Sequence, residues 1–173
     1  SICNYRCVFC YQTDRDLTNP KNGYMGLMSL KLFNKVIDLA EGKCEAISLA
    51  SRGEPLINRD IEEMLAYAAG KFLALKINTN AWFLDERKCH AILQADVNTV
   101  VFSADAAAEP LYSQLRVNGR MDRVLANVRL FQDIRARHYS DSKTITRVSG
   151  VRTGDDQSLD EMERFWGDLV DQV

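Results

Sequence analysis

The sequence has little proline and glycine, three and nine residues in 173, and nowhere are they gathered with serine into a stretch. That excludes collagen-like and low-complexity chains and leaves no linker that would divide the chain into domains. It also lacks any long hydrophobic run: the apolar stretches are a few residues each, far short of the roughly 20 that cross a bilayer. No charged start leads into an apolar segment of the kind that directs secretion, so the expectation is a cytoplasmic protein without membrane contact. An excess of either charge is missing as well. Lys and Arg number 22 against 24 Asp and Glu, a net charge of -2, so there is no positive surplus to hold a phosphate backbone. Nucleic acid is therefore not an expected partner. What is there, 46% hydrophobic and 27% charged residues, is the composition of a folded chain. It is long enough for a core that needs no staples and short enough for one domain.

Short β-branched apolar runs alternate with longer helical patterns, the signature of βα units around a parallel sheet. Strands are expected over 46–51, 73–78, 97–103 and 145–151, each ending in polar residues. Between them, Leu32, Phe33, Val36, Ile37 and Ala40 form one apolar helical stripe that Gly42 closes. Asn58 is placed to cap a helix carrying Ile61, Met64, Leu65 and Ala68, with Gly70 as its stop, and Asp85 to cap one carrying Ile92 and Leu93. A longer pattern runs through Leu125, Val128, Leu130, Phe131 and Ile134. Ser158 and Glu161 have the spacing of a capping box ahead of Met162, Phe165, Trp166 and Leu169. In such a parallel sheet all strands end at one rim, where chemistry is expected.

Five cysteines, an odd number, cannot all form intrachain disulfides. Cys3, Cys7 and Cys10 form a C-x3-C-x2-C array in the first ten residues, while Cys44 and Cys89 stand apart. Three thiols within eight residues converge on one centre if the segment is a loop, and thiolates favour zinc, copper(I) or iron–sulfur clusters. The same spacing also fits one face of a helix, where the cysteines would be core packing. A structural zinc normally takes four protein ligands. Cys44 is poorly placed to be the fourth, since a strand ending seven residues later puts it about 23 Å from that strand's rim. Cys89 reads as helix packing, and His138, beside Arg135 and Arg137 at a helix end, suits the helix dipole. Three thiolates on a four-iron cluster leave one iron without a protein ligand, whereas electron-carrying ferredoxin sites close the cluster with four. The missing ligand points to chemistry.

The loop, with aromatic Phe9 just before its last cysteine, resembles the hallmark of the radical S-adenosylmethionine (radical SAM) superfamily, and further motifs follow in order along nearly the whole chain. The resemblance implies a [4Fe-4S] cluster held by Cys3, Cys7 and Cys10, whose open iron binds the amino and carboxylate groups of SAM. It implies reductive cleavage of SAM to methionine and a 5'-deoxyadenosyl radical that takes a hydrogen atom from a substrate. Ser51-Arg52-Gly53-Glu54-Pro55 is similar to the family's Gly-Gly-Glu motif, with Arg52 at the first glycine position. Gly53 would then border SAM and Glu54 would accept from its ammonium. Asn78-Thr79-Asn80 is similar to the Thr-Asn-Gly segment, which places Asn78 near SAM. Ser103-Ala104-Asp105 is similar to Ser-x-Asp, which places Ser103 near the methionine moiety. Arg116 is similar to an arginine that pairs with the SAM carboxylate. Val148-Ser149-Gly150-Val151 is similar to the adenine-contacting motif, with Val148 and Val151 as the contacts.

The fold so implied is a partial (βα)6 TIM-like barrel. Its first strand would precede Cys3 and its sixth would start near Asp171-Gln172-Val173, so residues 1–173 are read as a fragment comprising the core domain. The order of Arg116 and the Tyr112-containing segment before it is similar to members that carry a SPASM or twitch domain. These act on peptides, sugars or other small molecules and draw electrons from a donor such as flavodoxin or ferredoxin. No catalytic side chain beyond the cofactor site is assigned. The alternative is a non-enzymatic zinc or iron–sulfur binding module on a βα scaffold.

Overall fold

The four apolar runs become the four parallel strands of a single open sheet, with ends trimmed or shifted by up to two residues. The computed structural model describes residues 1–50 and 52–173; Ser51, the end of the first expected strand and of its motif, lies outside the described residues. In chain order the elements are β1 (Arg6–Cys7), α1 (Arg15–Thr18), α2 (Leu30–Ala40), β2 (Ala46–Leu49), α3 (Ile61–Ala68), β3 (Ala74–Thr79), α4 (Glu86–Gln94), β4 (Thr99–Ser103), α5 (Leu111–Leu115), β5 (Arg116–Val117), α6 (Met121–His138), β6 (Ile145–Ser149) and α7 (Leu159–Trp166). The sheet order is β2-β3-β4-β6. Ile47 pairs with Leu75, Ile77 with Val100 and Phe102 with Val148. This is consistent with the partial (βα)6 barrel that was expected; among the described residues the sheet does not close. None of the helices described is long and apolar enough to cross a membrane.

The two-residue period of a strand sorts the side chains onto two faces. Leu75, Ile77, Val100, Phe102 and Val148 join Leu65, Ile92, Phe131 and Trp166 of the helices in one apolar core. The Phe102 and Phe131 rings meet edge to face, 5.9 Å apart. Each such side chain contributes about 1.5–3 kcal/mol by leaving water. Trp166, fully buried, satisfies its indole N–H by donating to the Ala106 carbonyl at 3.1 Å. The intervening positions, among them Asn78, Ser103 and Ser149, line the opposite, polar face at the C-terminal rim.

Helix starts follow the sequence signals in part. The Asp85 carboxylate accepts from Lys88 N, and the Ser158 hydroxyl accepts from Glu161 N, as expected. Asn58 does not cap α3. Its side-chain oxygen accepts from Asp60 N, making the turn that precedes the helix, and Asp60 holds the cap position. The α2 stripe is split: Phe33 and Ile37 are buried while Leu32 and Val36 are exposed. The cause is position, since α2 flanks β2, and β2 is the edge strand among the described residues. The pairing of β1 with β5 was not expected, because two-residue strands carry no period to read. In it Arg6 faces Val117 and Cys7 faces Arg116, antiparallel.

Beyond α7 the chain returns to the sheet, where Gln172 bridges Arg147 in parallel, in keeping with a further strand starting near residues 171–173. Asp171 fixes this return. Its carboxylate accepts from both terminal nitrogens of Arg135, at 2.6 and 3.0 Å, and from the backbone N and hydroxyl of Thr146, both at 2.7 Å. These donors, Arg135 first, hold its acid at about 2, below the ordinary value near ~3.9. A depressed carboxyl stabilises the fold above its unfolded pKa and loses that contribution as pH falls towards the folded one. Asp171→Asn is therefore expected to cost about 1 kcal/mol at neutral pH, discounted for partial exposure. In urea titrations across pH, the gap between wild type and variant should close between about pH 4 and pH 2.

Candidate functional site

Past β2 the chain crosses the rim through Gly53 and Glu54. Gly53 has φ +131°, and a Cβ there would sit 2.5 Å from the Ile2 carbonyl oxygen. Glycine is required because the segment leading into the cysteine loop runs directly against it. Glu54 N then donates to Ile2 O at 2.9 Å. The Glu54 side chain, 4% exposed, is a second clamp. One carboxylate oxygen accepts from Leu56 N at 3.0 Å and from the Thr79 hydroxyl at 2.7 Å, the other from Asn80 N at 2.7 Å. Burial pushes its pKa up, against the pull of these donors and of Arg116. Asn80 carries the connection onward: its side-chain N donates to Asn4 Oδ1 at 2.9 Å and to Cys3 Sγ at 3.8 Å.

The far side of the cysteine loop is held by β5. Val8 N donates to Leu115 O at 3.0 Å, and Arg6 donates to the carbonyls of Cys3 and Tyr5 at 2.8 and 2.7 Å. The pairing delivers Arg116 to the cavity wall with only 6% exposure. Its Nη1 donates to Cys7 Sγ at 3.9 Å. Its Nε faces Asp105 Oδ2 at 2.7 Å, an ion pair without the alignment of a hydrogen bond. The other Asp105 oxygen accepts from Val151 N at 2.7 Å. Burial pushes the Cys7 thiol up to about 11, with Arg116 the main opposing influence. A metal at this loop would displace that proton.

These segments line an open cavity of about 440 Å³, within the range of small-molecule sites. All of the site residues assigned from sequence line it except one: Cys3, Cys7, Cys10, Phe9, Gly53, Glu54, Asn78, Ser103, Arg116 and Val151. Val148 does not. It sits 1% exposed in the core, because a residue opposite Phe102 in register points to the helix side. Ser149, Gly150 and Val151 line the cavity instead. Cys44 is exposed just before β2, at the opposite end of the sheet, and Cys89 is buried in α4. Gln12 was legible only as part of a rim loop. It lies buried two residues after Cys10 and borders the cavity, where its amide N donates to Ser1 O at 2.9 Å and its Oε1 has no partner among the described residues. Asn78 Oδ1 likewise has no partner among the described residues.

Cys3, Cys7 and Cys10 border one cavity, and three thiols so placed fit an iron–sulfur cluster, on which each thiolate takes a separate iron. The Arg116 guanidinium in the cavity lining suits a ligand that carries a carboxylate.

A family model described as the Radical SAM superfamily matches residues 1–165. The chain is 25% identical over 131 residues to the Fe-coproporphyrin III synthase of Methanosarcina barkeri, a match covering 76% of this chain and 32% of that protein. Its fold is similar to Streptococcus suis SuiB bound to the precursor peptide SuiA, with a TM-score of 0.73 and 20% identity over 97% of this chain and 34% of SuiB. The same holds for SuiB bound to S-adenosylmethionine, with a TM-score of 0.73 and 18% identity over 95% and 35% of the two chains. The chain thus spans about a third of the length of these relatives.

Because Asp105 and Arg116 are both withdrawn from water, removing one partner strands a buried charge. Asp105→Ala is expected to cost about 3–5 kcal/mol in denaturant unfolding, while Asp105→Leu combined with Arg116→Met should recover most of that loss. Equal stability of the single variant and wild type would contradict the buried pair.

Proposed function

From the premise that the chain belongs to the radical SAM superfamily, we propose that residues 1–173 are the core domain of an enzyme that binds a [4Fe-4S] cluster and SAM at the strand rim. The observation that carries this reading is the meeting of three cysteines, Arg116 and the ends of β2, β3, β4 and β6 around one cavity. Cys3, Cys7 and Cys10 would hold the cluster. When bound, cluster and SAM supply a 5'-deoxyadenosyl radical by reductive cleavage of the sulfonium.

The chain's own residues bind and orient. Arg116 presents a guanidinium to the SAM carboxylate while Asp105 keeps it charged and in place. Glu54 already accepts three protein hydrogen bonds, which leaves about one of the roughly four acceptor positions of a carboxylate for the SAM ammonium. Asn78 lines the same cavity. Ser103 borders the methionine moiety and Val151 the adenine. Phe9 shields the loop. Enclosure matters because a primary-carbon radical must meet only its intended hydrogen donor.

The substrate is a peptide or another small molecule, a reading supported by the likeness to SuiB, whose structure holds a precursor peptide, and to a coproporphyrin synthase. The Tyr112 helix leading to Arg116 keeps the SPASM or twitch subgroup as the setting. A reduced flavodoxin or ferredoxin in the cytoplasm is the proposed electron source.

Anaerobic reconstitution tests the reading. About four irons and four sulfides per chain, with a spectrum that changes on adding SAM, are expected; one zinc per chain would sink it. Cys7→Ala should abolish cluster assembly and 5'-deoxyadenosine formation, whereas Cys44→Ala should leave both nearly intact.

A further inference from the structure

The loop between β6 and α7 contributes Val151 to the cavity wall, yet residues 150–153 and 155–156 are exposed. Such a loop needs an anchor, because each free residue carries about 1–2 kcal/mol of backbone entropy that a ligand would have to quench on binding. Gln157, 9% exposed, is that anchor. Its Oε1 accepts from Thr153 N at 2.5 Å, from the Thr153 hydroxyl at 2.9 Å and from Gly154 N at 3.2 Å. Its Nε2 donates to Val151 O at 2.8 Å and, across to the segment following β4, to Asp105 O at 2.8 Å. Backbone N–H groups on one side and carbonyls on the other settle which end of the amide is which. The seam it closes is tight: a Cβ on Gly150 would lie 2.7 Å from Ala104 O. Asp105 completes the circuit, with one oxygen on Val151 N and the other facing Arg116.

We propose that Gln157 is a positioning residue that holds Val151 and its neighbouring backbone in the cavity wall, against the adenosyl half of bound SAM. The proposal rests on the function proposed above. The cysteine loop has further anchors outside this seam, Ile2 against Glu54 and β1 against β5. Loosening the Gln157 loop therefore weakens SAM binding without preventing cluster assembly.

The test uses the reconstituted protein, wild type and Gln157→Met, which keeps the volume and removes the amide. Electron paramagnetic resonance of the reduced cluster is titrated with SAM and, separately, with methionine. The variant is expected to keep its iron content and its response to methionine within twofold. It should need about tenfold more SAM for half-maximal change, the loss of roughly one net hydrogen bond. In the wild type, hydrogen exchange provides a second readout independent of any variant: SAM should slow the Thr153 and Gly154 amides. A Gln157→Met response to SAM within twofold of wild type overturns the proposal, as do equal losses towards SAM and methionine, or Thr153 and Gly154 amides that SAM leaves unchanged. A wild type that assembles its cluster but ignores SAM overturns the proposed function itself.

Discussion

The arrangement of this rim depends on one buried contact, the guanidinium of Arg116 against the carboxylate of Asp105. Neither charge could remain buried alone, because the cost of removing an ion from water is several kcal/mol unless a counter-ion and hydrogen bonds replace the solvent. Together they join three segments distant in sequence. Asp105 follows β4, Arg116 belongs to the ribbon that pairs with the cysteine loop, and Val151 N closes on Asp105 from the end of β6. The pair also leaves a positive edge of Arg116 towards Cys7 and the cavity, where a loop of thiolates or an anionic ligand group would be stabilised.

A second buried carboxylate works by different means on the opposite wall. Among the described residues Glu54 meets no cation at contact distance; it accepts from three neutral donors, two backbone N–H groups and one hydroxyl. Its environment raises the cost of its charge while those donors lower it, so the group behaves mainly as a clamp between the ends of β2 and β3. The two walls thus divide the work. The Glu54 side fixes the entry of the cysteine loop through Ile2 and Asn80, and the Arg116 side fixes its exit through β5. A loop fixed at both ends presents its cysteines with little entropy left to lose when a metal centre binds.

Much of this was legible along the chain. Strands with buried faces declare themselves by apolar runs of β-branched residues, and Asp85 and Ser158 declare helix starts because a short acceptor side chain there has an orphan N–H to satisfy. The cysteine array and most of its rim companions could be named because they end successive strands, and parallel strands end at one edge. Where the reading slipped, it lacked phase or neighbours. Val148 and Val151 look alike in a motif, but pairing opposite Phe102 turns Val148 into the core. Leu32 and Val36 share a stripe with Phe33, but α2 flanks the edge strand of the described sheet, where they stay exposed.

By itself the sequence determined the class of fold and the clustering of three soft thiols near one end of the chain, because periodicity and residue spacing are local properties of residue order. Tertiary structure alone decided that Arg116 stands beside Cys7, that Glu54 is spent largely on its own scaffold, and that Gln157 ties its loop to the carbonyl of Asp105, 52 residues earlier in the chain. Those contacts join segments whose separation no pattern encodes. They exist because buried charges and buried amides must find partners, and only the closed packing of the whole chain determines which partners are within reach.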